Sequence, residues 1–222
     1  MTAFVWLGGV LFVSALAYCG YSFGVTWSRE IAFRPESLAL DAALFTIFAL
    51  HHSLFARDTV KHRLSSLVPN ALLRSCYVWL ASALLIAVCA LWRPIGGELY
   101  HHTGMLAAAH AAAQIAGVLI IVQAVRTIDP LELAGIREHP DAVALQIVGP
   151  YRWVRHPLYS GWVLLTFGAA HMTGDRLFFA GIALVYLLIA MPFEERSLRK
   201  SFGAAYDDYT RHVRYRLVPY VY

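Results

Sequence analysis

Residues 149 to 161 read Gly-Pro-Tyr-Arg-Trp-Val-Arg-His-Pro-Leu-Tyr-Ser-Gly. In a chain that is otherwise apolar, this run gathers Arg152, Arg155 and His156 with Tyr151, Trp153 and Tyr159. Pro150 and Pro157 bracket it. Proline disfavours helix at the residue before it, so Gly149 and His156 are expected outside helices. Pro157 suits the first turn of the helix that follows, where its missing N–H costs nothing. Arginines beside a helix N-terminus favour a bound anion such as a carboxylate. The same residues also describe a basic, aromatic membrane interface.

A second concentration of chemistry is Met191-Pro192-Phe193-Glu194-Glu195-Arg196. An acidic side chain at the centre of a membrane helix costs about 2.5–3.5 kcal/mol, and less at the helix end. A solvated charge pair beside the membrane is the plain alternative. Taken with the basic run, Glu194 and Glu195 make a site with complementary ends. The basic end suits a carboxylate; the acidic end suits an ammonium group, a sulfonium or ribose hydroxyls. Other side chains able to do chemistry are the histidines. His51 and His52 lie in an apolar run, where hydrogen-bonded packing is the ordinary role and substrate contact the alternative. His101, His102 and His110 with Gln114 lack carboxylates at metal-site spacing, so no metal is expected. Cys19, Cys76 and Cys89 are odd in number and without a C-x-x-C pair; free thiols in packed helices are expected.

These groups need elements to position them, and the elements are apolar. Of 222 residues, 59% are hydrophobic and 14% charged, against roughly a quarter charged in soluble domains. Long uncharged runs are the membrane signature. Spans are expected at about 4–26, 38–56, 76–92, 104–124, 158–171 and 177–193. The run 158–171 is short for a span, so the architecture is all-α and polytopic, with five to six transmembrane helices, the last two as a helical hairpin. Gly20 and Gly24 form a small-residue pair suited to close helix packing. Pro94, Gly96 and Gly97 break the chain after the third span. The first span lacks a positive n-region and is too long for a signal peptide, so it is read as retained. Leu198, Phe202, Tyr206 and Tyr209 recur at helical spacing between charges, which predicts a C-terminal amphipathic helix on the membrane or over the site. Packing is the expected role of those aromatics. The domain reading is 1–124 for four N-terminal spans and 125–222 for a cofactor-binding catalytic region with its long polar connection, hairpin and tail.

Charge orients the spans. With six helices, the loops 57–75 and 125–157 and the C-terminal tail share one side and carry 14 Lys/Arg; Arg29, Arg34, Arg93 and Arg176 are the 4 on the other. The positive-inside rule then puts both termini and the 149–161 run in the cytoplasm, as for a protein of a bacterial inner membrane. The net charge of +4 is spread over loops and tail, which points to membrane orientation and away from nucleic acid.

Arg155-His156-Pro157-Leu158-Tyr159-Ser160-Gly161, then Glu194-Glu195, then Leu198, Phe202-Gly203, Tyr206 and Tyr209, resembles the C-terminal signature of the integral-membrane methyltransferases related to isoprenylcysteine carboxyl methyltransferase and the phospholipid methyltransferases. The resemblance covers about 145 to 219. Earlier segments are similar to the bacterial methanethiol S-methyltransferase branch: His52-Ser53-Leu54-Phe55-Ala56-Arg57, Arg74-Ser75-Cys76-Tyr77-Val78, Trp92-Arg93-Pro94-Ile95-Gly96-Gly97, and Asp129 through Glu138. Ala190 departs from the arginine that prenylcysteine enzymes carry there, which counts against carboxyl methylation. Arg214 departs from a usual proline and bears on the shape of the tail.

The resemblance implies S-adenosyl-L-methionine as methyl donor, held without a Rossmann fold. By position, Tyr151, His156, Pro157, Leu158 and Tyr159 line the cofactor pocket, Glu194 contacts the cofactor's polar end with Glu195 beside it, and Gln146 and Ile147 contribute from the preceding loop. Arg152 and Arg155 are assigned on physical grounds, to the cofactor carboxylate or to anchoring the loop. The implied reaction is in-line methyl transfer to a small or membrane-partitioning thiol, with the lipid bilayer as surroundings and no obligate protein partner. Carboxyl O-methylation of a prenylcysteine-like substrate, N-methylation of a lipid headgroup, an NADPH-dependent membrane reductase and a non-catalytic membrane protein remain the alternatives.

Overall fold

The computed structural model describes residues 2–55, 60, 63, 66, 69–128, 130–136 and 145–222. Ala56, Arg57, Lys61, Asp129, Arg137 and Glu138, used in the sequence reading, lie outside the described residues. The fold is mostly helical, and five helical stretches are long and apolar enough to cross a membrane: Thr2–Ser28, Ser37–Phe55, Leu72–Leu91, Gly104–Ile128 and Gly174–Phe202. The chain divides into two compact units. One comprises Met1–Glu98, Pro130–His139 and Thr173–Arg176; the other comprises Leu99–Asp129, Pro140–Met172 and Leu177–Tyr222.

In the first unit, α1 (Thr2–Gly24) and α2 (Ser37–Phe55) both pack on α3 (Asn70–Leu91). The close approach of α1 is made at Gly8, where a Cβ would stand 2.8 Å from Trp79 Nε1, and at Gly9, under Ile136. Trp79 donates its indole N–H to the Phe4 carbonyl at 3.0 Å. Gly20 and Gly24, expected as the packing pair, meet nothing within 4 Å. Helix α3 starts earlier than the expected 76, because Arg74 and Ser75 are carried on its first turns; Ser75 donates to the Gly135 carbonyl at 2.9 Å.

The break after α3 is held by two carboxylates, with Asp175 taking three donors. Asp175 Oδ1 accepts from the Trp92 indole at 2.8 Å and from the Ile95 N–H at 2.9 Å, and Oδ2 accepts from the Gly96 N–H at 2.8 Å. Gly96 has φ +68°, and a Cβ there would lie 2.5 Å from the carbonyls of Ile31 and Ala32. Glycine is the residue that takes this conformation in this space. Asp41, fully buried in α2, accepts the Arg93 N–H at 3.0 Å. Arg176 closes the far end of α1, donating to the carbonyls of Phe23 and Gly24 at 2.8 and 2.9 Å.

The second unit contains α4 (Gly104–Ile128), α6 (Pro157–Phe167), most of α7 (Gly174–Phe202) and α8 (Ala204–His212); the short α5 (Pro130–Leu133) belongs to the first unit. A two-stranded sheet joins β1 (Glu98–His101) to β2 (His171–Thr173), a small addition to the all-α reading. Helices α4 and α6 cross glycine on glycine: a Cβ on Gly117 would be 2.7 Å from the Gly161 carbonyl, and the reverse contact is also 2.7 Å. Helix α6 has 11 residues, about 16 Å at 1.5 Å per residue. That is half a bilayer core of about 30 Å. The apolar run 158–171 therefore forms a short arm that ends at Gly168, in addition to the five helices that, among the described residues, are long and apolar enough to span.

Helix α7 runs 29 residues through Pro192 to Phe202. The amphipathic segment expected over 198–209 is thus split. Its first turn is the end of α7, Gly203 turns the chain at φ +53°, and α8 continues it. The apolar face survives the break, since Leu198 and Phe202 pack against the buried Tyr206, Tyr209 and Val213.

Candidate functional site

Every residue of the basic, aromatic run and of the Glu194-Glu195 pair belongs to the second unit. Residues Gly149–Arg152 form a 3-10 turn, entered through Gly149 at φ +59°. His156 stands immediately before α6 with φ −123° and ψ 62°, and Pro157 opens the helix. Both follow from the proline restrictions in the sequence. The C-terminal tail lies along this stretch. The Arg155 N–H donates to the Tyr215 carbonyl, and the His156 N–H to the Arg216 carbonyl, each at 2.9 Å. Ser160 Oγ donates to the Leu217 carbonyl at 2.6 Å.

Adjacent on α7, Glu194 and Glu195 take different roles. The Glu195 side chain is 9% exposed and surrounded by cations. Its Oε1 accepts from Arg155 Nε at 2.8 Å and from Arg216 Nε at 3.2 Å, and lies 3.4 Å from His156 Nε2. Its Oε2 accepts from Arg216 Nη2 at 3.0 Å. Arg155 also donates to the carbonyls of Val213 and Arg214 at 3.0 and 2.8 Å, so its guanidinium binds the loop to the tail. Glu195 is thus a neutralised anchor, and the pair with Arg216 holds that guanidinium above its ordinary pKa range. Buried ion pairs of this kind fix geometry more surely than they add stability.

Glu194 is the open carboxylate. Its side chain is 45% exposed. Tyr159 donates to its Oε2 at 2.7 Å, with His156 Nδ1 3.6 Å from the same oxygen. Tyr159 and His156 are themselves stacked, centroids 5.4 Å apart and planes 7° from parallel. An aromatic-walled, oriented carboxylate beside a neutralised one can receive a cation or a pair of hydroxyls. Tyr151 lies close enough for Glu194 to matter. Burial first, and then that negative charge, pushes its phenol up to about 12. Its backbone carbonyl accepts the Tyr209 hydroxyl at 2.8 Å, which ties α8 to the 3-10 turn.

Around this centre, Pro157 is buried and Leu158 half-buried, while Gln146, Ile147 and Arg152 are exposed. His51 and His52 belong to the first unit. His51 is buried between Phe55 and Tyr77, at centroid distances of 4.5 and 5.5 Å, and the Tyr77 hydroxyl lies 2.6 Å from His52 Nδ1. Arg216 is the residue that sequence reasoning missed. It sits in a tail of bends and turns without periodicity, and only the three-dimensional return of that tail brings it to Glu195.

Comparison with known proteins matches the phospholipid methyltransferase family model to residues 105–205. Over 186 residues the chain is 34% identical to methanethiol S-methyltransferase 2 of Bradyrhizobium diazoefficiens, covering 80% of this chain and 72% of that protein. It is 32% identical over 194 residues to the methanethiol S-methyltransferase of Crocosphaera subtropica, covering 83% and 76%. For the enzyme of that name from Mycobacterium tuberculosis the identity is 31% over 193 residues, covering 80% and 77%. Likeness at this level over four fifths of the sequence, together with five helices long and apolar enough to span a bilayer, means that the chain belongs to the methanethiol S-methyltransferase family and is an integral-membrane methyltransferase.

Proposed function

We propose that the chain transfers the methyl group of S-adenosylmethionine to the sulfur of a small, membrane-partitioning thiol, from a site built in residues 145–222. The observation that carries this reading is the division of labour between the two glutamates. Glu195 is consumed by Arg155, Arg216 and His156, whereas Glu194 is half exposed and oriented by Tyr159. A half-exposed, oriented carboxylate fits the donor's ammonium group or ribose hydroxyls, and a nearby negative charge suits a sulfonium. The N-terminal end of α6, where the helix dipole favours negative charge, fits the donor carboxylate. Tyr151, Leu158, Gln146 and Ile147 complete the proposed lining, and Arg152 is the remaining cation for the carboxylate.

The bound donor supplies an electrophilic methyl carbon. The chain's part is to hold that carbon in line with the acceptor sulfur and to keep water away. The acceptor would react as the thiolate, its proton already given up to solvent, and the electron pair of the broken C–S bond would stay with the donor sulfur. A positive field favours the thiolate form of the acceptor, and Arg152, outside the Glu195 network, is the cation proposed to contribute to it. The relatives are named for methanethiol, which supports the thiol reading; the phospholipid methyltransferase match over 105–205 supports a lipid headgroup as second reading. Both termini and the site are assigned to the cytoplasm, on the charge asymmetry of the loops.

The test is titration calorimetry of S-adenosylhomocysteine into detergent-purified protein. Wild type is expected to bind, and Glu194→Ala to bind about 10- to 100-fold more weakly, the range of a lost charge-assisted hydrogen bond. Equal affinity in the two proteins would remove Glu194 from the site.

A further inference from the structure

We propose that the Tyr206 hydroxyl is a further ligand-binding group of the same site, donating a hydrogen bond to a neutral acceptor on the nucleoside part of the methyl donor. The inference rests on the methyl-donor reading above and adds to it a residue that the sequence assigned to packing.

Tyr206 is the largest of the fully buried side chains, 1% exposed, yet its hydroxyl has no hydrogen-bond partner among the described residues. Buried hydroxyls are nearly always partnered. The contrast is with Tyr209, on the same helix and in the same cluster, whose hydroxyl donates to the Tyr151 carbonyl at 2.8 Å. The ring of Tyr206 has little room to swing toward a partner. Tyr209 lies against it with centroids 6.0 Å apart, the Arg199 guanidinium stands 5.8 Å over its face, and Leu198 and Phe202 pack beside it. The hydroxyl is therefore held in place with its donor capacity unspent.

The surroundings select the kind of acceptor. Burial first, and then the charges of Glu195 and Glu194 against those of Arg155 and Arg199, push the phenol up to about 12. It stays a protonated donor at neutral pH. The carboxylates of Glu194 and Glu195 are balanced here by Arg155 and Arg199, so the hydroxyl suits an uncharged acceptor. The apolar side chains of Leu145, Leu198 and Phe202 favour the flat heterocycle and sugar over a zwitterionic amino-acid end. A ring nitrogen or a ribose oxygen meets both conditions.

The experiment uses the full chain in detergent, wild type and Tyr206→Phe, titrated with S-adenosylhomocysteine and with 5′-methylthioadenosine, which lacks the amino-acid end. Ligand-free thermal unfolding of both proteins is recorded alongside. The expected result is a loss of about tenfold in affinity for both ligands, the scale of one neutral hydrogen bond. The ligand-free Tm should be unchanged or higher, because the variant removes an unsatisfied buried group. Unchanged affinities would overturn the proposal, as would a loss confined to S-adenosylhomocysteine or a fall in ligand-free Tm, which marks a hydroxyl with a structural partner. Wild type binding neither ligand would instead overturn the methyl-donor reading, and this inference with it.

Discussion

Glu194 and Glu195 are neighbours in the chain and opposites in environment, and that difference makes them separable by experiment. Removing the Glu195 carboxylate leaves Arg155 and Arg216 facing each other at a site whose anchor is 9% exposed. Glu195→Ala is therefore expected to lower stability by about 3 kcal/mol, the cost of breaking one side of a buried pair. Thermal unfolding in detergent reads this as a clear drop in Tm. Glu194→Ala, at a half-exposed carboxylate, should leave Tm within a degree or two and act on ligand binding. If Glu195→Ala unfolds at the wild-type temperature, the network is not structural. The sequence made both glutamates and the Arg155-to-Tyr159 run visible as chemistry, since charges beside an apolar helix stand out. It could not rank the two. That ranking depends on Arg216, brought back by a tail whose course follows backbone hydrogen bonds to Arg155 and His156 and carries no sequence periodicity.

Among the elements, the break after α3 is the place where the fold depends most on a single side chain. Asp175, at the start of α7, satisfies the Trp92 indole and the N–H groups of Ile95 and Gly96. Asp175→Ala would strand three buried donors, and a loss of about 3 kcal/mol or more is expected at the usual penalty per unsatisfied group. Poor recovery of folded protein by size-exclusion chromatography, or a strongly lowered Tm, would meet that expectation; a wild-type profile would contradict it. The Pro94-Gly96-Gly97 signal showed where this break lies. The partner of its N–H groups, more than seventy residues later, was out of reach of any local pattern. Helix lengths behaved the same way. Apolar runs located the helices, but the run 158–171 was cut at Gly168 by strand β2, and the amphipathic segment 198–209 was divided at Gly203. Gly20 and Gly24 had the right spacing for a packing motif, while the glycines that meet a neighbour in α1 are Gly8 and Gly9. Spacing alone does not say which face of a helix is covered.

For the whole molecule, the charge asymmetry of 14 to 4 Lys/Arg places both chain ends in the cytoplasm if the number of crossings is even, and the structure offers five long apolar helices with α6 as a short arm. The two ends therefore need to be located separately. Reporter fusions do this: fluorescent protein at the C-terminus should glow and alkaline phosphatase there should be silent, because six of the 14 basic residues lie after residue 193. An active phosphatase at the C-terminus would reverse the assigned orientation of the site. With a cytoplasmic C-terminus, an N-terminal reporter on the same side is expected, because the chain that leaves the 149–161 stretch through α6 returns to it through α7 and the tail; a reporter on the opposite side would contradict that. Membrane class and family were legible from composition and from the residues around His156 and Glu194. The acceptor was not, because a small thiol needs few polar contacts to mark its site.

Methyl transfer from S-adenosylmethionine to a thiol sulfur is tested by incubating the purified protein with methyl-deuterated S-adenosylmethionine and methanethiol and analysing the volatile product by mass spectrometry. Dimethyl sulfide carrying one deuterated methyl group is expected from wild type, strongly reduced in Glu194→Ala. Full turnover by Glu194→Ala, or label appearing in lipid headgroups and none in the thioether, would contradict it.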